Sequence, residues 1–199
     1  MGEIVEITKQ LIEFKTTSEN PEELKKCIDF IEDYFKDMEL FVHRFNSKKK
    51  PSVAVTLQDT KNPELFLAAH CDVVPADDSE FVPEEKDGRL YGRGAIDNKA
   101  SVAICMRLMK YYSQQNNKPN IGVMFTTDEE IGGKEGVNLL LNNEGYSCKF
   151  AIVMDGGENY NIVHRHKGSL HIKMVARGKG THGSRPWEGD NAIEKLLDF

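Results

Sequence analysis

IGVMFTTDEEIGG, Ile121 to Gly133, joins an uninterrupted apolar run to three successive acids and two glycines. A short apolar run without polar alternation is the mark of a strand covered on both faces, as in the parallel core of an α/β sheet. ELFLAA (64–69) and FAIVM (150–154) have the same character and are read as two further central strands. Helical patterns lie between them, at about 98–112 and 135–143, and strands alternating with helices imply a sheet with helices on both sides.

Outward from this centre, residues 3–15 carry Ile4, Val5, Ile7, Leu11, Ile12 and Phe14 at helical spacing. Asn20 and Pro21 are an N-cap and first-turn pair for a second helix, with Leu24, Cys27, Ile28, Ile31 and Phe35 on its inner face. LFVHRF (40–45) and SVAVTL (52–57) read as an antiparallel pair around a basic turn. The polar insert at 75–90 belongs on the rim. The expected fold class is therefore α/β: a mixed, mostly parallel sheet with helices on both faces.

After about residue 165 the character changes. GSLHIKMVARG (168–178) alternates like a half-exposed strand, and DNAIEKLLDF (190–199) opens a helix capped by Asp190. One strand and one helix cannot form a core. The expectation is thus a first domain over 1–165 and the beginning of a second, smaller α+β domain over 166–199, truncated or completed by a partner.

The 199 residues carry a formal charge of −6 with no basic stretch, which argues against a nucleic-acid partner. Cys27, Cys71, Cys105 and Cys148 show no CxxC spacing, so buried thiols in a reducing cytosol are expected rather than a disulfide framework or zinc knuckle. No apolar run approaches a membrane span or signal-peptide core, and a cytoplasmic location follows as the expectation.

The acids past the strand ends carry the chemistry. His70 and Asp72 follow ELFLAA, Asp128, Glu129 and Glu130 follow GVMF, and Asp155 follows AIVM; Asp97 lies in YGRGAIDNK, just before a helix. In an open α/β sheet the ligand crevice lies beyond the carboxyl ends of the strands, so these groups converge. Each has a plainer reading alone: a solvated acidic turn, or a hydrogen-bonded structural histidine. GRGAID and GGKEG are broken nucleotide-binding patterns. Jointly, clustered acids repel unless a cation neutralises them, and oxygen donors with an imidazole suit zinc, with cobalt or manganese as alternatives. In extended chain, residues two apart face alike, so Asp72 is placed to accept the free ring proton of His70. Glu129 and Glu130 point apart, leaving one for metal and one for the attacking water.

HCDVVP, YGRGAIDNK, TTDEEIGG, the Asp155 segment and GKGTHGSRPWEGDNAI together resemble, in order and approximate spacing, the di-zinc exopeptidases and deacylases. That family holds carboxypeptidase G, succinyl-diaminopimelate desuccinylase, acetylornithine deacetylase, aminoacylase and the cytosolic dipeptidases. The resemblance implies two divalent metal ions, with His70 and Asp155 on one, Glu130 on the other and Asp97 bridging. It implies Glu129 as general base, Asp72 as the partner of His70, and His182 as an oxyanion donor reaching a neighbouring subunit from a lid domain. The implied reaction is hydrolysis of an amide in an N-acyl amino acid or short peptide, by a homodimer when full length.

Two departures stand out. The family pattern Asp-Met-Lys-Gly is here Asp97-Asn98-Lys99-Ala100. A late histidine ligand expected after the lid is missing from the sequence, and His43, His164, His166 and His171 are read as structural or surface residues. The expectation is that the 199-residue chain alone hydrolyses its substrate poorly; a non-catalytic metal-binding or dimerising homologue is the rival reading.

Overall fold

The computed structural model describes residues 2–156, 161–165, 167–168 and 170–197. The chain forms two compact units, Met1–Asn161 and Ile162–Phe199.

The first unit is built on a five-stranded sheet in the order β1-β2-β6-β3-β7. β1 (Phe41–Ser47) and β2 (Lys50–Thr56) form the expected hairpin, turning through Lys48 and Lys49 at positive φ. β2 runs antiparallel to β6 (Ile121–Thr126), while β3 (Leu65–His70) lies parallel to both β6 and β7 (Phe150–Val153). Four strands thus point one way and β2 opposes them, which brings the carboxyl ends of β3, β6 and β7 to one edge.

Strand alternation divides the core in two. Val53, Val55, Leu67, Ala69, Val123 and Phe125 face α1 (Gly2–Glu13), α2 (Pro21–Phe35) and α3 (Ala100–Ser113), together with Leu11, Ile28, Ile31, Val102 and Met106. Ala54, Phe66 and Met124 face the other way and pack on Leu140 of α4 (Val137–Asn142) and on Tyr146. The side chain of Asn20 caps α2 by accepting from the Glu23 amide. The rim insert holds a short turn at Asp78–Phe81 and the small hairpin β4 (Glu84–Lys86) and β5 (Arg89–Tyr91).

Three sequence expectations are corrected. β7 is not a central strand: Phe150, Ile152 and Val153 are 70%, 49% and 67% exposed, because β3 is its one neighbour among the described residues. The described residues of 168–178 form no strand; just beyond them an isolated bridge joins Lys179 to Asp190. The helix near the end, α5 (Ala192–Leu197), is capped by Asn191, whose Oδ1 accepts from the Ile193 amide. Asp190 instead pairs with Lys195. All four cysteines are free thiols, and Cys27, Cys71 and Cys105 are buried. Among the described residues no helix is long and apolar enough to cross a membrane.

Gly122 shows how closely the strands are packed. A β-carbon there would lie 2.5 Å from Phe66 Cε1 and 2.9 Å from Thr56 Cγ2. Overpacking of this kind costs about 1–3 kcal/mol. Gly122→Ala is expected to lower unfolding free energy by that amount in urea titration, and parent-like stability would show that Phe66 repacks freely.

Candidate metal centre

The carboxyl edge of the sheet brings His70, Asp97 and Asp155 together: one ligand atom from each lies within 4.8 Å of the other two. His70 ends β3, Asp155 lies just past β7, and Asp97 sits in the turn Ala95–Lys99 that leads into α3. Gly94 opens that turn at φ 81°, where a β-carbon would strike Val73 Cγ1 at 2.7 Å.

The tautomer of His70 follows from its partners. Nδ1 lies 3.1 Å from the Asp72 carbonyl oxygen, which can only accept, so Nδ1 carries a proton. Nε2 is then the lone-pair nitrogen of the neutral ring, and it points at Asp97 Oδ1 (3.0 Å) and Glu129 Oε2 (3.9 Å). A lone pair facing carboxylates is repulsive unless a cation stands between them. A proton is one solution: burial would push the His70 pKa down, but the Asp72 contact and the charges of Glu129 and Asp97 outweigh it and raise it to about 9. A divalent metal is the other. Among the described residues the buried Nε2 has no hydrogen-bond partner, and the surrounding set of imidazole and carboxylates is one that zinc, cobalt and manganese accept. The residues therefore fit a metal.

Asp72 does more than face His70. Its Oδ1 is 3.5 Å from Nδ1, whereas the two carboxylate oxygens accept from the amides of Glu129 (3.1 Å) and Glu130 (2.9 Å). The fully buried Asp72 thereby fixes the turn that carries both glutamates. Burial, together with repulsion from Asp155, Asp72 and Asp97, raises the Glu129 pKa against the opposing pull of His70. Glu130 is also raised, first by burial and then by Asp97. It lies outside the His70–Asp97–Asp155 set. Asp128, the first acid of the run, turns inward, and its Oδ2 accepts from the amides of Glu135 (2.7 Å) and Gly136 (3.2 Å). Gly132 and Gly133 close the turn at φ 98° and 65°, values that L side chains rarely adopt.

Sequence reading missed several supports. The Thr16 hydroxyl donates to the Cys71 carbonyl at 2.6 Å, pinning the loop between His70 and Asp72 to the segment after α1. The fully buried Lys99 donates to the Phe14 carbonyl at 2.7 Å, and burial pushes its ammonium down to about 8. Neither has a local sequence signal, since both partners are distant backbone carbonyls.

His182 lies in the second unit. Its Nδ1 accepts from the Ser184 amide at 3.2 Å and contacts the Ser184 hydroxyl at 2.8 Å. An amide can only donate, so the proton of the neutral His182 ring is on Nε2. His43, His164 and His171 are not part of the cluster. His166 lies outside the described residues.

Fold and site together define an α/β protein with a histidine–carboxylate cluster that could hold a metal at the ends of its parallel strands. The family model of peptidase family M20/M25/M40 matches residues 66–189, and the chain belongs to that family. A probable succinyl-diaminopimelate desuccinylase of Staphylococcus aureus is 30% identical over 99% of this chain and 50% of its own length. An uncharacterized metallohydrolase of Methanocaldococcus jannaschii is 31% identical over 88% of this chain and 47% of its own. The chain thus spans about half the length of these relatives. Among solved structures, an M20 family metallo-carboxypeptidase from Sulfolobus solfataricus superposes with a TM-score of 0.65 at 22% identity, covering 79% of this chain and 38% of that one. The aminopeptidase PepT of Bacillus cereus gives 0.63 at 18% identity over 98% and 55%. At these identities the structural matches speak for the fold.

Replacing Asp72 with Asn leaves one acceptor oxygen for two amides. Hydrogen bonds to charged groups contribute about 1.5–3 kcal/mol. Asp72→Asn is expected to lose about that much stability in chemical unfolding; an unchanged midpoint would show that the glutamate turn is held by other contacts.

Proposed function

We propose that the protein is a metal-dependent hydrolase of amide bonds in N-acyl amino acids or short peptides. The observation that carries this reading is the lone-pair nitrogen of His70, directed into a cluster of carboxylates from three separate loops. Family membership supports it, as does the name of a relative, a probable succinyl-diaminopimelate desuccinylase.

His70, Asp97 and Asp155 would hold one metal ion, and Asp97 with Glu130 would hold a second; zinc would suit the donor set. Metal bound there supplies Lewis acidity and lowers the pKa of a coordinated water towards ~7. Glu129, beside His70 but outside the three-ligand set, is the general base: its carboxylate takes the proton of the attacking water and returns it to the leaving amine. Asp72 keeps Glu129 and Glu130 in place through their amides, while its carbonyl oxygen keeps the His70 proton on Nδ1. His182, with Nε2 as its donor nitrogen, supplies a hydrogen bond to the developing oxyanion, by the family's use of a neighbouring subunit's lid.

The test is turnover of N-succinyl and N-acetyl amino acids and of dipeptides by the complete gene product with added zinc, cobalt or manganese. Glu129→Gln is expected to lower kcat by about 10²- to 10⁴-fold with metal content unchanged. Unchanged turnover would remove Glu129 from the role of base. Bound metal without hydrolysis of any of these substrates by the parent would favour a non-catalytic metal-binding homologue.

A further inference from the structure

Asn98 stands where the family pattern has methionine, and the reaction makes no use of it. The residue is fully buried between Asp97 and Lys99. Its Nδ2 donates to the carbonyl oxygen of Met154 at 3.1 Å. The Ser101 hydroxyl, in the first turn of α3, donates to the same oxygen at 2.7 Å. Both lone pairs of one carbonyl are therefore taken by donors from the segment that follows Asp97. Met154 immediately precedes Asp155.

Asp155 needs such a strap. It lies beyond the end of β7, which among the described residues is an edge strand paired with β3 and carries exposed apolar side chains. The Met154 amide continues the ladder by donating to the Ala68 carbonyl at 2.8 Å, and the next residue is Asp155. The strap thus acts where strand pairing ends.

Stability alone does not account for Asn98. Its Oδ1 is buried with no hydrogen-bond partner among the described residues, and an unpaired buried acceptor costs free energy that an apolar side chain of similar size would avoid. The amide is retained at a cost, and the bond it makes joins the backbones of two ligand loops.

We propose that Asn98 and Ser101 are positioning residues that tether Asp155 to the Asp97 turn through the Met154 carbonyl and so set the metal affinity of the centre. The proposal rests on the reading of His70, Asp97 and Asp155 as ligands. Partners one shell behind a ligand are typically worth about 10- to 100-fold in metal affinity.

Cobalt(II) titration of the chain, followed by visible absorption and calorimetry, tests this in Asn98→Leu, Ser101→Ala, the double variant and Ser101→Thr. Thermal unfolding in a chelator is measured alongside. Each single loss is expected to weaken cobalt binding about 10-fold and the double loss about 100-fold, with the chelated unfolding temperature of Asn98→Leu unchanged or higher. Ser101→Thr keeps the hydroxyl and is expected to bind cobalt like the parent. Parent-like affinity in the double variant overturns the proposal, and so does a lowered unfolding temperature with affinity unchanged. Should Asn98→Leu not fold, Ser101→Ala against Ser101→Thr decides: equal affinity overturns the proposal, and a loss in Ser101→Ala alone supports it. A parent that binds no cobalt overturns the metal-centre reading itself, and the tether with it.

Discussion

The repulsion around His70 is the constraint on which the rest depends. Its Nδ1 is committed to a carbonyl that only accepts, so the electron pair of the neutral ring lies on Nε2, facing Asp97 and Glu129. Such an arrangement is stable only with positive charge at its centre. The surrounding structure keeps the groups close: Thr16 holds the His70 loop, Asp72 holds the two glutamates, and Asn98 with Ser101 holds the approach to Asp155.

The sheet is the reason these loops meet. β3, β6 and β7 share a direction, so three chain segments distant in sequence release their polar ends at one edge. Helices α1, α2 and α3 close one face and α4 with Tyr146 the other, so the strands are held by apolar packing while the edge stays polar. The acidic run after β6 divides its labour accordingly. Asp128 faces inward to hold the turn, and Glu129 reaches towards His70.

Much of this was legible in the residues. The apolar runs at 64–69 and 121–125 gave buried strands, because a strand covered on both faces has no polar alternation to hide. The His70-Cys71-Asp72 spacing gave the loop chemistry, though the carbonyl of Asp72, not its carboxylate, makes the closer contact with Nδ1. What was not legible depends on partners remote in sequence. FAIVM reads as central by composition, yet whether a strand is covered depends on what packs against it, and among the described residues β7 has one neighbouring strand. The alternation in 168–178 lacks a pairing strand among the described residues, so periodicity there did not become a ladder. Asn98 was visible only as a departure from pattern, and its role emerged once Met154 was seen beside it.

The central claim is that one cation is held jointly by His70, Asp97 and Asp155. Anomalous diffraction at the zinc edge from zinc-loaded crystals tests it most directly. The account predicts a peak at about 2.0–2.2 Å from His70 Nε2 and in reach of both carboxylates. A strong peak on a cysteine or on another histidine, with this cluster showing none, would contradict it.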